Sequence, residues 1–71
     1  MKLHYYPDTD SLYIELSAGD SVETRAATDN VNLDFDSEGG IVGIDIDHAS
    51  KQLDLTTLET SALPFQVLRA A

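Results

Sequence analysis

Asp34-Phe-Asp36-Ser-Glu38-Gly39 places three carboxylates at alternate positions ahead of a glycine, which is how a D-x-[DN]-x-[DN]-G calcium loop opens. Hard divalent cations take oxygen ligands, and such a loop closes on a bidentate glutamate at its twelfth position. Here Ile41 holds the eighth position as expected, but the twelfth is Asp45, one methylene too short. Glu38 stands where Asp or Asn is usual. Both flanks, Val31-Asn-Leu-Asp-Phe35 and Val42-Gly-Ile-Asp-Ile46, alternate apolar and polar residues like strands, whereas a calcium loop of this type lies between helices. The run reads as a hairpin turning at Ser37-Glu-Gly-Gly40. Asp34, Asp36, Glu38 and Asp45 remain as a weak alternative, a divalent-cation site.

No other spacing supplies catalytic chemistry. His4 and His48 stand alone and lack metal-ligand spacing. Each is read as a surface or capping residue. The serines fall at turns or cap-like positions, with no nucleophile elbow around them. There is no Gly-rich phosphate loop. Paired carboxylates on a flat sheet have no dry pocket to separate their pKa values. The expectation is a non-enzyme without a cofactor.

The elements that would carry these residues follow from length and pattern. Seventy-one residues make one small domain, near the lower limit for a self-sufficient core, and the absence of cysteine rules out disulfide or thiolate-zinc staples. A small unstapled core makes self-association or partner binding a natural expectation. No apolar run suits a membrane span or a signal peptide, so a cytoplasmic location is expected. Thirteen acids against four bases give a net charge of −9. That balance opposes nucleic-acid binding and favours a basic partner or a cation.

Leu3-His-Tyr-Tyr6 and Leu12-Tyr-Ile-Glu-Leu16 form a hairpin around Pro7-Asp-Thr-Asp10, pairing Lys2 with Glu15, Leu3 with Ile14, His4 with Tyr13 and Tyr5 with Leu12. Ser21–Ala27 is a weaker strand, expected to set Val22, Thr24 and Ala26 opposite Phe35, Leu33 and Val31. Phe35 is expected opposite Val42, Leu33 opposite Ile44 and Val31 opposite Ile46. The fold class is therefore α+β, a five-stranded antiparallel meander over residues 2–47, with one face covered by a short C-terminal helical segment over 48–63. Asp47 is the expected N-cap, and Thr56-Thr-Leu-Glu59 fits a capping box for a second helical turn. An apolar tail spans 64–71.

This register puts Glu15, Glu23, Asp34, Asp36, Asp45 and Asp47 on the outer face, with Arg25 nearby as partial relief. The face reads either as solvated charge that discourages aggregation or as the candidate partner-binding surface, docking a basic protein or a cation.

Tyr5-Tyr-Pro-Asp-Thr-Asp-Ser-Leu-Tyr-Ile14, Asn30-Val-Asn-Leu-Asp-Phe-Asp36, Gly40-Ile-Val-Gly-Ile-Asp-Ile46 and Ala49-Ser50 together resemble the small bacterial and archaeal family catalogued as domain of unknown function 2283. The resemblance covers roughly residues 2 to 60. It implies a small β-rich domain with a C-terminal helical segment and no assigned activity, and it brings no catalytic residues. It also implies pairing with a small basic partner protein in arrangements resembling toxin–antitoxin modules. The chain departs from the family pattern at Asp47-His48, where an apolar residue and a polar one are more usual. The resulting expectation is a non-enzymatic protein-interaction module, an antitoxin-like acidic partner of a small basic protein. The alternatives are a self-associating, homodimeric structural domain and a divalent-cation-binding domain at the Asp34–Asp45 hairpin.

Overall fold

A computed structural model describes residues 1–64. Strands β1 (Lys2–Tyr6), β2 (Ser11–Glu15), β3 (Glu23–Thr28), β4 (Val31–Phe35) and β5 (Ile41–Ile46) build one antiparallel sheet, followed by a single-turn helix, α1 (Ala49–Gln52). The α+β class and the five antiparallel strands match the sequence reading. The strand order does not. It is β1-β2-β5-β4-β3, so the sheet is not a sequential meander. Strands β2 to β5 instead form a Greek key, three hairpin-linked strands plus a fourth that arrives by a longer connection.

The reason lies in β5. Its Ile44 is paired with Ile14 on one side and Leu33 on the other, and its Ile46 with Leu12 and Val31. In a meander this strand, the richest in β-branched residues, would be an edge with one neighbour; in the middle it has two. The connection out of β2 crosses the end of the sheet to reach the far edge. On the way the amides of Leu16 and Ser17 donate to the Val42 carbonyl, at 2.8 and 3.4 Å, and the Val22 amide donates to the Phe35 carbonyl at 2.8 Å. Glu15 of β2 and Glu23 of β3 lie on strands that are not neighbours.

The β1–β2 register is the expected one, from Lys2–Glu15 to Tyr6–Ser11. Two other registers shift. Asp36 closes its turn against Gly40, so Phe35 lies opposite Ile41 rather than Val42; Leu33–Ile44 and Val31–Ile46 hold. In β3 a bulge between Ala26 and Thr28 sets Arg25 opposite Leu33 and Glu23 opposite Phe35. Thr24 and Ala26 turn to the polar face, and Glu23 and Arg25 to the apolar one. The Arg25 guanidinium lies 3.9 Å from the Phe35 ring centroid and pairs with Glu23 at 2.5 Å. A bulge and inward-facing charges are devices that blunt an edge strand against aggregation, and β3 carries both.

The helical segment is shorter than 48–63. The N-cap of α1 is His48, in a left-handed conformation, rather than Asp47. The Thr56–Glu59 turn does not become helical, because Asp54 accepts both the Thr56 amide at 2.9 Å and its hydroxyl at 2.5 Å. From Leu53 to Leu58 the chain lies along the β1–β2 side of the apolar face, flanking a groove with Leu3, Tyr5 and Leu12. The apolar tail lies outside the described residues, apart from Pro64. Leu12, Val42 and Ala49 are the buried apolar side chains among the described residues.

Since His48 offers α1 no side-chain bond, its first amides are met from the β1–β2 turn. Asp10, itself left-handed with φ of 53°, accepts the Ala49 amide on its carbonyl at 2.8 Å. Its carboxylate accepts the Ser50 amide at 3.1 Å, the Ser50 hydroxyl at 2.7 Å and the Tyr5 hydroxyl at 2.8 Å. Asp10 thus caps a helix forty positions away in sequence. Its carboxyl is held below the usual aspartate range, by the Ser50 hydroxyl first and the Tyr5 hydroxyl next. A lowered folded-state value means the contribution exists above the unfolded pKa and is lost as pH falls through the folded one. Replacing Asp10 with Ala should lower the melting temperature by roughly 5 °C at neutral pH. The gap to wild type should narrow as pH drops below about 4. Thermal melts followed by circular dichroism across pH check both.

Candidate functional site

The polar face is organised around a glycine. Gly43, in the middle of β5, lies between Glu15 of β2 and Asp34 of β4. With no side chain there, Tyr13 leans across the strand and its hydroxyl donates to Asp34 Oδ2 at 2.7 Å. A Cβ on Gly43 would sit too close to the Tyr13 hydroxyl oxygen for both to keep their places. From the other side the Thr24 hydroxyl donates to Asp34 Oδ1 at 2.5 Å. One carboxylate therefore links β2, across β5, to β4 and β3. Glycine within a strand often marks such a close approach.

Beside this link lie Asp45, Asp47 and Glu15. The Asn32 amide donates to Asp45 at 3.4 Å, a long bond, and the Ser11 hydroxyl donates to Asp47 at 3.3 Å. Lys2 approaches Glu15 at 3.9 Å, an exposed pair of little energetic weight. Partial burial is the main cause that raises the Asp45 pKa; the Asn32 bond opposes it, and the charges of Asp47 and Asp34 add to it. The Tyr13 hydroxyl is pushed up to about 12, mainly by its bond to Asp34 and then by burial, with the charges of Asp34, Glu15 and Asp45 adding to both. Negative charge is crowded on this face.

Four of the six acids expected on the outer face, Glu15, Asp34, Asp45 and Asp47, meet there. Asp36 belongs to the turn, where its carboxylate accepts the amides of Glu38 at 2.9 Å and Gly40 at 2.8 Å while Gly39 takes a φ of 84°. Glu23 is on the opposite face, and Arg25 with it, so the expected relief of the acidic face by Arg25 is missing. Asp34, Asp36 and Asp45 each accept from different partners rather than converging, and Glu38 enters the turn through its backbone amide. Among the described residues no three Asp, Glu or His side chains are grouped as a metal ion would need. The sequence reading did not foresee the roles of Thr24 and Asp10. The signal for Asp10 was its place in the Pro7–Asp10 turn of the Tyr5–Ile14 motif, and for Thr24 there was none without the bulge.

The motif pieces Tyr5–Ile14 and Ala49-Ser50 are the ones Asp10 joins in space. The family model for a protein of unknown function (DUF2283) matches residues 2–50, a stretch that ends on Ser50. The chain belongs to the DUF2283 family. No curated protein and no solved structure matches it. At the corner where the chain departs from the family pattern, the Asp47 amide donates to the Asn30 carbonyl and the Gln52 side chain donates to the Asp47 carbonyl. Among the described residues no helix is long and apolar enough to cross a membrane.

Two substitutions separate the roles on this face. Gly43→Ala must eject the Tyr13 ring and should destabilise the fold by about 1–3 kcal/mol, whereas Tyr13→Phe removes only the hydroxyl bond and should cost about 1 kcal/mol. Urea unfolding measures both. Asp45→Asn should be stabilising at neutral pH, since a raised carboxyl is less at ease ionised in the folded state than in the unfolded one. That gain should vanish below about pH 4, where both residues are neutral.

Proposed function

We propose that the chain is a non-enzymatic protein-interaction module whose acidic sheet face docks a small basic protein, in the manner of an antitoxin held against its partner. The observation that carries this reading is the crowding of Glu15, Asp34, Asp45 and Asp47 on one face while Arg25 is turned to the other. Cationic side chains set over that face would relieve the mutual repulsion that helps raise Asp45. The Tyr13–Asp34–Thr24 link ties the strands beneath together, so little ordering is needed on binding. Net charge of −9 would speed the encounter with a basic protein.

The adjacent gene should encode a small basic protein that forms a stoichiometric complex with the chain. Calorimetry should show affinity falling about tenfold or more between about 50 and about 300 mM salt. The triple change Glu15→Gln, Asp45→Asn and Asp47→Asn should weaken binding without unfolding the domain. A neighbour of other character, or a basic neighbour that forms no complex, overturns the reading.

A further inference from the structure

The sheet has two edges, and they differ. Among the described residues β1 and β3 each have one neighbour, β2 and β4 respectively. Every second amide and carbonyl of an edge strand points away from its neighbour, which makes the edge a template for a further strand. On β3 the bulge between Ala26 and Thr28 and the Glu23–Arg25 pair on the apolar side spoil that template. β1 has neither device. Its five residues are all exposed, contain no proline and pair with β2 without a register shift. It is also the acid-free strand among the five: β2 carries Glu15, β3 Glu23, β4 Asp34 and β5 Asp45. In a chain of net charge −9, this edge repels a second copy least.

Charge along β1 also has a direction. Lys2 opens the strand, approaching Glu15 only at 3.9 Å, and the exposed Asp8 lies in the turn that ends it. We infer that β1 pairs antiparallel with β1 of a second copy about a two-fold axis through His4, joining the two sheets edge to edge. In that register Leu3 of each copy faces Tyr5 of the other on the apolar side. On the polar side Lys2 faces the Tyr6 ring, with Asp8 two positions beyond it. A parallel, in-register pairing would instead set Lys2 beside Lys2 and Asp8 beside Asp8. Pairing β1 with a β3 edge would meet the bulge, and would continue into an open filament rather than close. A foreign strand would have to bring the opposite charge direction, which a second copy supplies by symmetry. The two acidic faces then share one side of the joined sheet, with both β1 strands and their lysines between them. This goes beyond the reading of the acidic face, and it is tested on the chain alone, so either can fail without the other.

Sedimentation equilibrium of the full chain at tens of micromolar should give a particle of twice 7.7 kDa. Isotope-filtered NMR of a mixed-label sample should show contacts between copies from Leu3 to Tyr5 and from His4 to His4. Lys2→Glu should weaken the dimer by about tenfold, and adding Asp8→Lys should restore it. Should Lys2→Glu fail to fold, the contacts between wild-type copies carry the test. A monomer throughout the concentration range overturns the inference. So does a dimer whose contacts lie at the β3 edge or on either face of the sheet, or a Lys2→Glu dimer that Asp8→Lys weakens further. Outward β1 amides that stay protected from hydrogen exchange in a dilute monomer mean that the chain's own residues cover this edge, and overturn it as well.

Discussion

The fold depends on β5 having a partner on both sides. Ile44 sits between Ile14 and Leu33, and Ile46 between Leu12 and Val31. Those two rows hold the β1–β2 hairpin to the β3–β4–β5 unit; without them β1 and β2 would be an isolated two-stranded hairpin, marginal at best in water. The same central placement brings Gly43 beneath Tyr13 and so creates the link to Asp34. Packing on one face and polar connection on the other thus share one cause.

That constraint explains what was legible in the sequence. Hairpins with strong alternation and a defining turn, such as Leu3–Tyr6 with Leu12–Leu16, disclosed their register directly. Strand order was harder, because a sequential meander also kept apolar residues on one side. It differed only in whether β5 had one neighbour or two, a non-local gain that alternation does not encode. The β3 register differs because Thr24 and Ala26 are weak markers of an inner face, while Arg25 can lay its guanidinium over the Phe35 ring and so face the apolar side. One bulge then exchanged the faces of Glu23 and Arg25. The acids of β2, β4 and β5 were legible as a cluster; that they lack a compensating arginine was not.

The two faces of this sheet follow different rules. The acidic side is rich in satisfied hydrogen bonds and poor in countercharge. The apolar side carries the Glu23–Arg25 pair and, among the described residues, leaves Leu3, Tyr5, Leu55 and Leu58 exposed around the groove they share with the buried Leu12. A single layer of strands sets these two chemistries on opposite surfaces.

The bond between Asp10 and Ser50 also has a temporal meaning. A ribosome delivers the β1–β2 hairpin first, while the strand that must lie beside β2 comes after two others. Until residues 41–50 emerge, the inner edge of β2 has no partner and the Asp10 carboxylate has no helix to hold. An unpaired strand edge therefore persists on β2 while β3 and β4 are made, and the sheet closes only when β5 and the first helical turn follow.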